Sequence, residues 1–431
     1  MGEKCILVGA ALFNWSETQR MTEISDELVK RGYKVVFVGS GKFDFWLENK
    51  NYIREQVDYD SEWYTPKRIS MMLDMDKYGG NFARSDEVDK IIESEIKVIE
   101  KYKPAAILTG YRMTLTVSAR VCEIPVVWCL SAAVSKPYLE MTLEKTKLLS
   151  AKKRERDSGQ AYETKRAMFE DRVACQRLLG ACKTSKIWND YLVKNGKEPF
   201  ACDLDLYTGD LHLMSDAREF FPELEETQRY KFIGPILNNL HIPMPEVVNE
   251  VLNNGNKRKK VLISVGSSGN KELFLKILRS CLDFDCDYFI SVIGILSDEE
   301  KNGFPENYHF CEKFPLIEIA KLCDVAIIQG GQGTLYAAIA AKCPILSIPA
   351  TFEQRKNIEN LFEHYRCGEF IRMFGVSEES IKAAFSKLLI SDEYKKEMTR
   401  ASNDIGKYFD NRCLAAEISA DYIEKLINGR A

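Results

Sequence analysis

Short apolar runs alternate with amphipathic stretches over most of this chain. Cys5–Phe13 is an apolar run that reads as a strand, and Glu17–Arg31 repeats its apolar positions at helical spacing. The turn Gly32-Tyr33 opens a second strand, Lys34–Gly39. Glu87–Tyr102 places Ile and Val at helical spacing, and Ala105–Thr109 and Pro125–Cys129 return to strand. Strands separated by helices predict a parallel sheet covered on its faces. Between about 138 and 196 the pattern changes to long charged helices, and Asp210–Ser215 and Lys231–Ile236 are again extended.

A polar connection runs from Gly234-Pro235 through Asn238-Asn239 and Asn253-Asn254-Gly255-Asn256 to Lys260. A second alternating unit follows. It reads as strand Val261–Val265, helix Lys271–Leu282, strand Tyr288–Ile293, a short strand near Phe310, and strands Asp324–Ile328 and Pro344–Ile348. Three helices close the chain, the last around Cys413–Ile427. The expected organisation is a first α/β domain at 1–234 with a helical insertion at about 138–196, and a linker at 235–260. A second α/β domain at 261–412 and a C-terminal helix at 413–431, packing back on the first domain, complete it. A chain of 431 residues is in any case too long for one ordinary domain.

Composition narrows the class. Hydrophobic residues at 45% and charged residues at 29% are those of a globular protein, and a net charge of −4 gives no reason to expect nucleic acid. The thirteen cysteines are scattered singly, which reads as buried free thiols in a reducing compartment rather than a disulfide framework or a zinc site. No apolar stretch approaches a membrane span. The apolar run at 5–13 follows Glu3 without a clean cleavage pattern, and Met1-Gly2 lacks the Ser or Thr of a myristoylation site, so the expected location is cytoplasmic.

The chemistry concentrates near residue 330. The apolar run ending at Ile328 enters Gln329-Gly330-Gly331-Gln332-Gly333-Thr334, and a helix follows. A strand, a glycine loop and a helix start make a site for anionic oxygen, because glycine lets the backbone approach and first-turn N–H groups point outward. The same glycines also fit a turn that needs them for backbone geometry alone. After the strand Pro344–Ile348 come Glu353-Gln354 and Asn357, a carboxylate beside a carboxamide suited to vicinal hydroxyls. Phosphate on one loop and polyol on the next is what a nucleotide sugar requires.

These two segments, with their spacing, resemble the family 1 (UDP-glycosyltransferase-like) enzymes, including bacterial macrolide-type glycosyltransferases, whose signature runs H-G-G-x-G-T and then D/E-Q-x-x-N. The resemblance implies the α/β GT-B architecture, two Rossmann-like domains facing across a cleft, with a UDP- or dTDP-sugar as donor substrate and no bound cofactor. It implies metal-independent, inverting transfer of a hexose to a hydroxyl of a small-molecule or natural-product acceptor. Donor contacts are then expected from Gly266, Ser267, Ser268, Phe314, Gln329, Gly330, Gly331, Gln332, Gly333, Thr334, Glu353, Gln354 and Asn357. The hydroxyl-rich turn at 266–268 equally fits a helix cap. Three positions depart from the pattern: Gln329 stands for the pyrophosphate-contacting histidine, Ala337 for an acid that often holds the ribose, and Lys313 for an aromatic residue at the base.

The family places a catalytic histidine after its first strand, yet His212, His241, His309 and His364 all lie beyond residue 211. Counting back fifteen residues from Gly32, as in the family, reaches Glu17, with Arg20 in place of a proline. A carboxylate can take the acceptor's proton. Glu17 also fits a plain first-turn acid, and Ser16 with Gln19 fits a capping box. Asn14, Trp15, Tyr111 and Arg112 are the acceptor-site candidates. The pairs Asp74/Asp76, Asp203/Asp205 and Asp283/Asp285 are read as solvated carboxylates, not metal ligands. Segment 143–156 carries six cations against two acids, a local +4 that reads as a solvated face or as a membrane-surface helix serving a lipid acceptor. Partners are thus the donor and a small hydroxyl compound, in a monomer or homodimer. A catalytically impaired auxiliary homologue is the alternative that Gln329, Ala337 and the missing histidine suggest.

Overall fold

The structure, a computed structural model, describes residues 4–12, 14–48, 50–58, 85–152, 159–180, 186–237, 242–266, 270–292 and 295–429, with backbone only at 147–152 and 159–165. The chain forms two compact units. Met1–Asp216, Pro222–Ile236 and Cys413–Ala431 make the first, and Ala217–Phe221 with Leu237–Arg412 the second.

The first unit is built on a seven-stranded sheet: β1 (Cys5–Gly9), β2 (Lys34–Val38), β3 (Ile53–Glu55), β4 (Ala106–Thr109), β5 (Val126–Leu130), β6 (Leu211–Met214) and β7 (Tyr230–Phe232). The order is β3-β2-β1-β4-β5-β6-β7, every pair parallel. A parallel sheet is covered on both faces, which is why β1 and β5 are apolar runs rather than alternating ones. Successive side chains serve opposite faces. Ile6, Val8 and Phe37 pack with Met21, Ile24 and Leu28 of helix Trp15–Lys30 and with Ala420 and Ile423 of helix Leu414–Ile427. Leu7, Val36 and Ile107 pack with Val88, Ile91 and Ile92 of helix Ser85–Tyr102. The C-terminal helix is also held by Arg31, which donates to Asp421 at 2.6 Å, to Glu424 at 3.1 Å and to the Glu417 carbonyl at 3.1 Å.

The second unit repeats this order in six strands: β8 (Lys259–Ser264), β9 (Cys286–Ser291), β10 (Tyr308–Cys311), β11 (Val325–Ile328), β12 (Ile345–Ser347) and β13 (Gly368–Phe370). They lie as β10-β9-β8-β11-β12-β13, all parallel. The segment expected as linker holds a helix, Glu246–Asn253, because Val248 and Val251 stand three apart and bury one face. The described cysteines are free thiols, most of them buried. Among the described residues no helix is long and apolar enough to cross a membrane.

One local expectation is corrected. Ser16 does not cap the first helix; the Asn14 side chain accepts the Glu17 N–H at 3.1 Å, so the helix starts at Trp15 rather than at Glu17. No capping box forms there, because Gln19 donates instead to the Ile236 carbonyl at 3.0 Å.

Candidate active site

In a doubly wound sheet a crevice opens at the carboxyl ends of the strands where the order reverses. In the second unit this point lies between β8 and β11, and the loop leaving β11 is Gln329-Gly330-Gly331. Gly330 has φ +93°, and a Cβ there would stand 2.6 Å from Ile358 Cγ1 and 3.1 Å from the Gln354 carbonyl oxygen. Only glycine lets the loop lie against helix Phe352–His364. That close approach joins the two halves of the sequence motif.

The next helix, Gln332–Ala340, starts at Gly331, which offers no side-chain cap. Such a start presents backbone donors and the positive end of the helix dipole. Thr334 sits in its first turn, its hydroxyl donating to the Gly331 carbonyl at 3.0 Å. Gln329 is 2% exposed, and neither its amide oxygen nor its amide nitrogen has a hydrogen-bond partner. Gln354 closes a capping box with Thr351: its Oε1 accepts the N–H groups of Ala350 at 2.9 Å and Thr351 at 3.2 Å. Its Nε2 is thereby turned to the glycine loop, 3.9 Å from where a Cβ on Gly331 would be. Glu353 is half-buried and Asn357 buried on the same helix.

In the first unit the order reverses between β1 and β4, and Glu17 occupies that point. Its carboxylate accepts the Tyr111 N–H on Oε1 at 2.7 Å and the Ala11 N–H on both oxygens at 3.2 Å. It is 0% exposed and lies against Gly110, where any side chain would stand 2.7 Å from Glu17 Cγ. Burial pushes this carboxyl up to about 7, against the pull of the two backbone donors and the charges of Arg20 and Arg112.

No protein-family model matches the chain. A protein of Mycobacterium tuberculosis named PGL/p-HBAD biosynthesis glycosyltransferase is 24% identical over 348 residues, which is 77% of this chain and 74% of the relative. The uncharacterized UDP-glucosyltransferase YojK of Bacillus subtilis is 27% identical over 205 residues, 46% of this chain and 48% of that one. Among solved structures, spinosyn forosaminyltransferase SpnP aligns with TM-score 0.67 and 15% identity, covering 99% of this chain and 100% of its own. The glycosyltransferase VinC in complex with DTDP aligns with TM-score 0.62 at 14% identity, covering 99% and 100%. The chain is a GT-B glycosyltransferase.

The remaining expected residues of this glycosyltransferase divide by geometry. The Phe314 ring is 2% exposed and packs edge-on to Phe289 at 6.1 Å, so Phe314 itself can offer a ligand only its backbone. Gly266 has φ +73° at the end of β8, and Ser267 and Ser268 lie outside the described residues. Asn14 spends its side-chain oxygen on the helix cap. Trp15 is half-buried, T-shaped to Phe43 and to Trp46 at 5.2 Å each. Tyr111 meets Glu17 through its backbone. Arg112, expected at the acceptor site, is 0% exposed and donates to Glu95 at 2.8 Å; its guanidinium is committed to the interior.

Of the Asp pairs, Asp205 caps the backbone of Ala201 at 2.8 Å and Cys202 at 3.2 Å. Asp283 and Asp285 pair with Lys382 and Arg258, each at 2.6 Å. Asp74 and Asp76 lie outside the described residues, as does 153–156 of the basic segment. Two buried residues escaped the sequence reading: Glu95 and His212. Glu95 left a signal, an acid within the apolar stripe Val88, Ile91, Ile92, Val98 and Ile99.

Proposed function

We propose that the enzyme moves a hexosyl group from a UDP- or dTDP-sugar to a hydroxyl of a small-molecule acceptor, with inversion at the anomeric carbon. The observation that carries this is the glycine loop lying on the helix of Glu353 and Gln354, with the Gln329 amide buried and unpartnered beside it. The diphosphate sits on the start of helix Gln332–Ala340, with Gly331, Gly333 and Thr334 supplying N–H groups and Gln329 an amide donor. Glu353, Gln354 and Asn357 hold sugar hydroxyls, where a missing hydroxyl leaves a buried partner unpaired and selectivity is steep. VinC's complex with DTDP supports a nucleoside diphosphate as the leaving group. As the bond breaks, charge grows on that diphosphate, and the fixed backbone donors and helix dipole stabilise it in place of a metal ion.

The acceptor hydroxyl attacks the face opposite the diphosphate, and Glu17 takes its proton. Oε1 carries two backbone bonds and Oε2 one long bond, so Oε2 is the oxygen with a lone pair to spare. A carboxyl held near 7 is a stronger base than an exposed one and is still half ionised at neutral pH.

Thermal shift with UDP, UDP-glucose and dTDP-glucose tests the donor site, since binding to the folded state raises its stability. A sugar nucleotide stabilises wild type beyond its nucleotide, and Glu353→Ala loses the increment due to the sugar while keeping that due to UDP. No shift with any nucleotide would refute the donor reading. Glu17→Gln leaves the nucleotide shifts intact and lowers turnover by about 100-fold or more. Full turnover in that variant would refute the base assignment.

A further inference from the structure

The first unit holds a buried ionic cluster that the transfer chemistry above leaves unused. Glu95, on helix Ser85–Tyr102, falls inside that helix's apolar stripe, and a carboxylate there is costly to bury unless it is paired. It is paired three times. Its Oε1 accepts Arg112 Nε at 2.8 Å and the Thr114 hydroxyl at 2.6 Å, and its Oε2 accepts the Ser118 hydroxyl at 2.6 Å. Glu95 and Arg112 are both 0% exposed. All three donors belong to one stretch of chain, the loop leaving β4 and helix Thr114–Cys122.

The same loop carries the shortest contact on Glu17, because Tyr111, whose N–H meets Oε1 at 2.7 Å, directly precedes Arg112. Arg112 also reaches toward β1: its Cδ lies 2.9 Å from where a Cβ on Gly9 would be. The Arg112 side chain thus lies against β1 as well as on Glu95, close enough for its charge to act on Glu17.

We propose that Glu95 and Arg112 are positioning residues for Glu17: the buried pair fixes the loop after β4 so that the Tyr111 N–H meets the Glu17 carboxylate, and it presents the guanidinium charge to that carboxylate. The catalytic meaning rests on Glu17 as base, but the positioning is measurable without turnover. Two cations face Glu17, Arg20 from its own helix and Arg112 from the β4 side, and both oppose the desolvation that raises it. Neutralising Glu95 loosens the loop after β4, so the Tyr111 N–H and the guanidinium act less on Glu17 and its ionised form is disfavoured. Weakening Glu95 by removing a hydroxyl donor acts in the same direction and by less.

The test is the stability of the ligand-free full chain from about pH 5 to about pH 9, for wild type and Glu95→Gln, each with and without Glu17→Gln. The Glu17 carboxyl stands at about 7 in the folded chain against 4.5 in its ordinary state, so its contribution is complete below 4.5. That contribution is lost as pH rises to about 7, and it is flat above. The difference between wild type and Glu17→Gln therefore levels off near 7. In the Glu95→Gln background it levels off higher by about half a pH unit or more. Should Glu95→Gln not fold, Thr114→Val and Ser118→Ala each move the levelling point up by a smaller step. A levelling point that stays put in all these variants, or moves down, overturns the positioning. Failure of the base assignment shows separately, as turnover retained in Glu17→Gln while the levelling point still moves.

Discussion

The unpartnered amide of Gln329 makes the proposed donor site measurable. Its Oε1 and Nε2 are both buried without partners in a side chain 2% exposed. Each such group costs about 1–3 kcal/mol, so the amide destabilises the ligand-free protein by about 2–6 kcal/mol. Methionine is unbranched and of similar volume, so Gln329→Met keeps the shape and removes both polar groups. The expected ligand-free variant is more stable by about 2 kcal/mol or more, a rise in Tm of roughly 4–8 °C for a unit of this size. The same change removes a donor to the diphosphate. Wild type gains about 2.7 kcal/mol at a hundredfold excess of UDP over Kd, and the variant loses most of that gain. Differential scanning fluorimetry with and without UDP reads both effects in one experiment. A variant no more stable than wild type would show that the amide is satisfied in the empty site. An undiminished UDP shift would show that Gln329 does not touch the diphosphate.

His212 gives an acid-lability prediction. It is 1% exposed on β6, neither ring nitrogen has a partner, and burial pushes it down to about 3 from 6.5. The unfolded chain therefore binds the proton first, and stability falls as pH drops from 6.5 toward 3, at about 1.4 kcal/mol per unit. His212→Phe, which keeps a ring beside Tyr230, removes this slope in urea melts; a wild-type slope in the variant would refute it. Gly330→Ala forces an L residue to φ +93° and a Cβ to within 2.6 Å of Ile358, costing about 2–5 kcal/mol. It also abolishes the UDP-induced shift, and an unaltered shift would mean the loop does not need its approach to helix Phe352–His364.

The two halves of the proposed donor site could be read because each is contiguous in sequence and chemically distinctive. The contact between the halves could not, since it rests on the φ of Gly330 and the packing of Ile358. The strands that form the sheet centres could be read from their apolar runs. Two of the edges could not: β3 is Ile-Arg-Glu and β13 is Gly-Glu-Phe, half-buried or more exposed, with nothing apolar to repeat. At the first helix both Asn14 and Ser16 are good caps by type, and only the backbone decides that Asn14 is extended and accepts the Glu17 N–H. Arg112 read as an acceptor-site residue because its buried partner, Glu95, is seventeen residues away on helix Ser85–Tyr102.

The two sheets have the same strand order, so each opens one crevice at its carboxyl ends, and the chain treats the two crevices in opposite ways. In the second unit glycine and an uncapped helix start leave backbone donors facing the crevice, which suits it to an anion from outside. In the first unit the equivalent backbone donors, those of Ala11 and Tyr111, are taken by a carboxylate of the chain itself. Under the proposed function that carboxylate occupies the place where a diphosphate would otherwise be drawn, and the anionic donor goes to the second unit. The burial of Glu17 also raises its carboxyl to about 7, which suits the proposed proton acceptor at neutral pH. In that proposal one residue, Glu17, separates the roles of two sheets whose topology does not distinguish them.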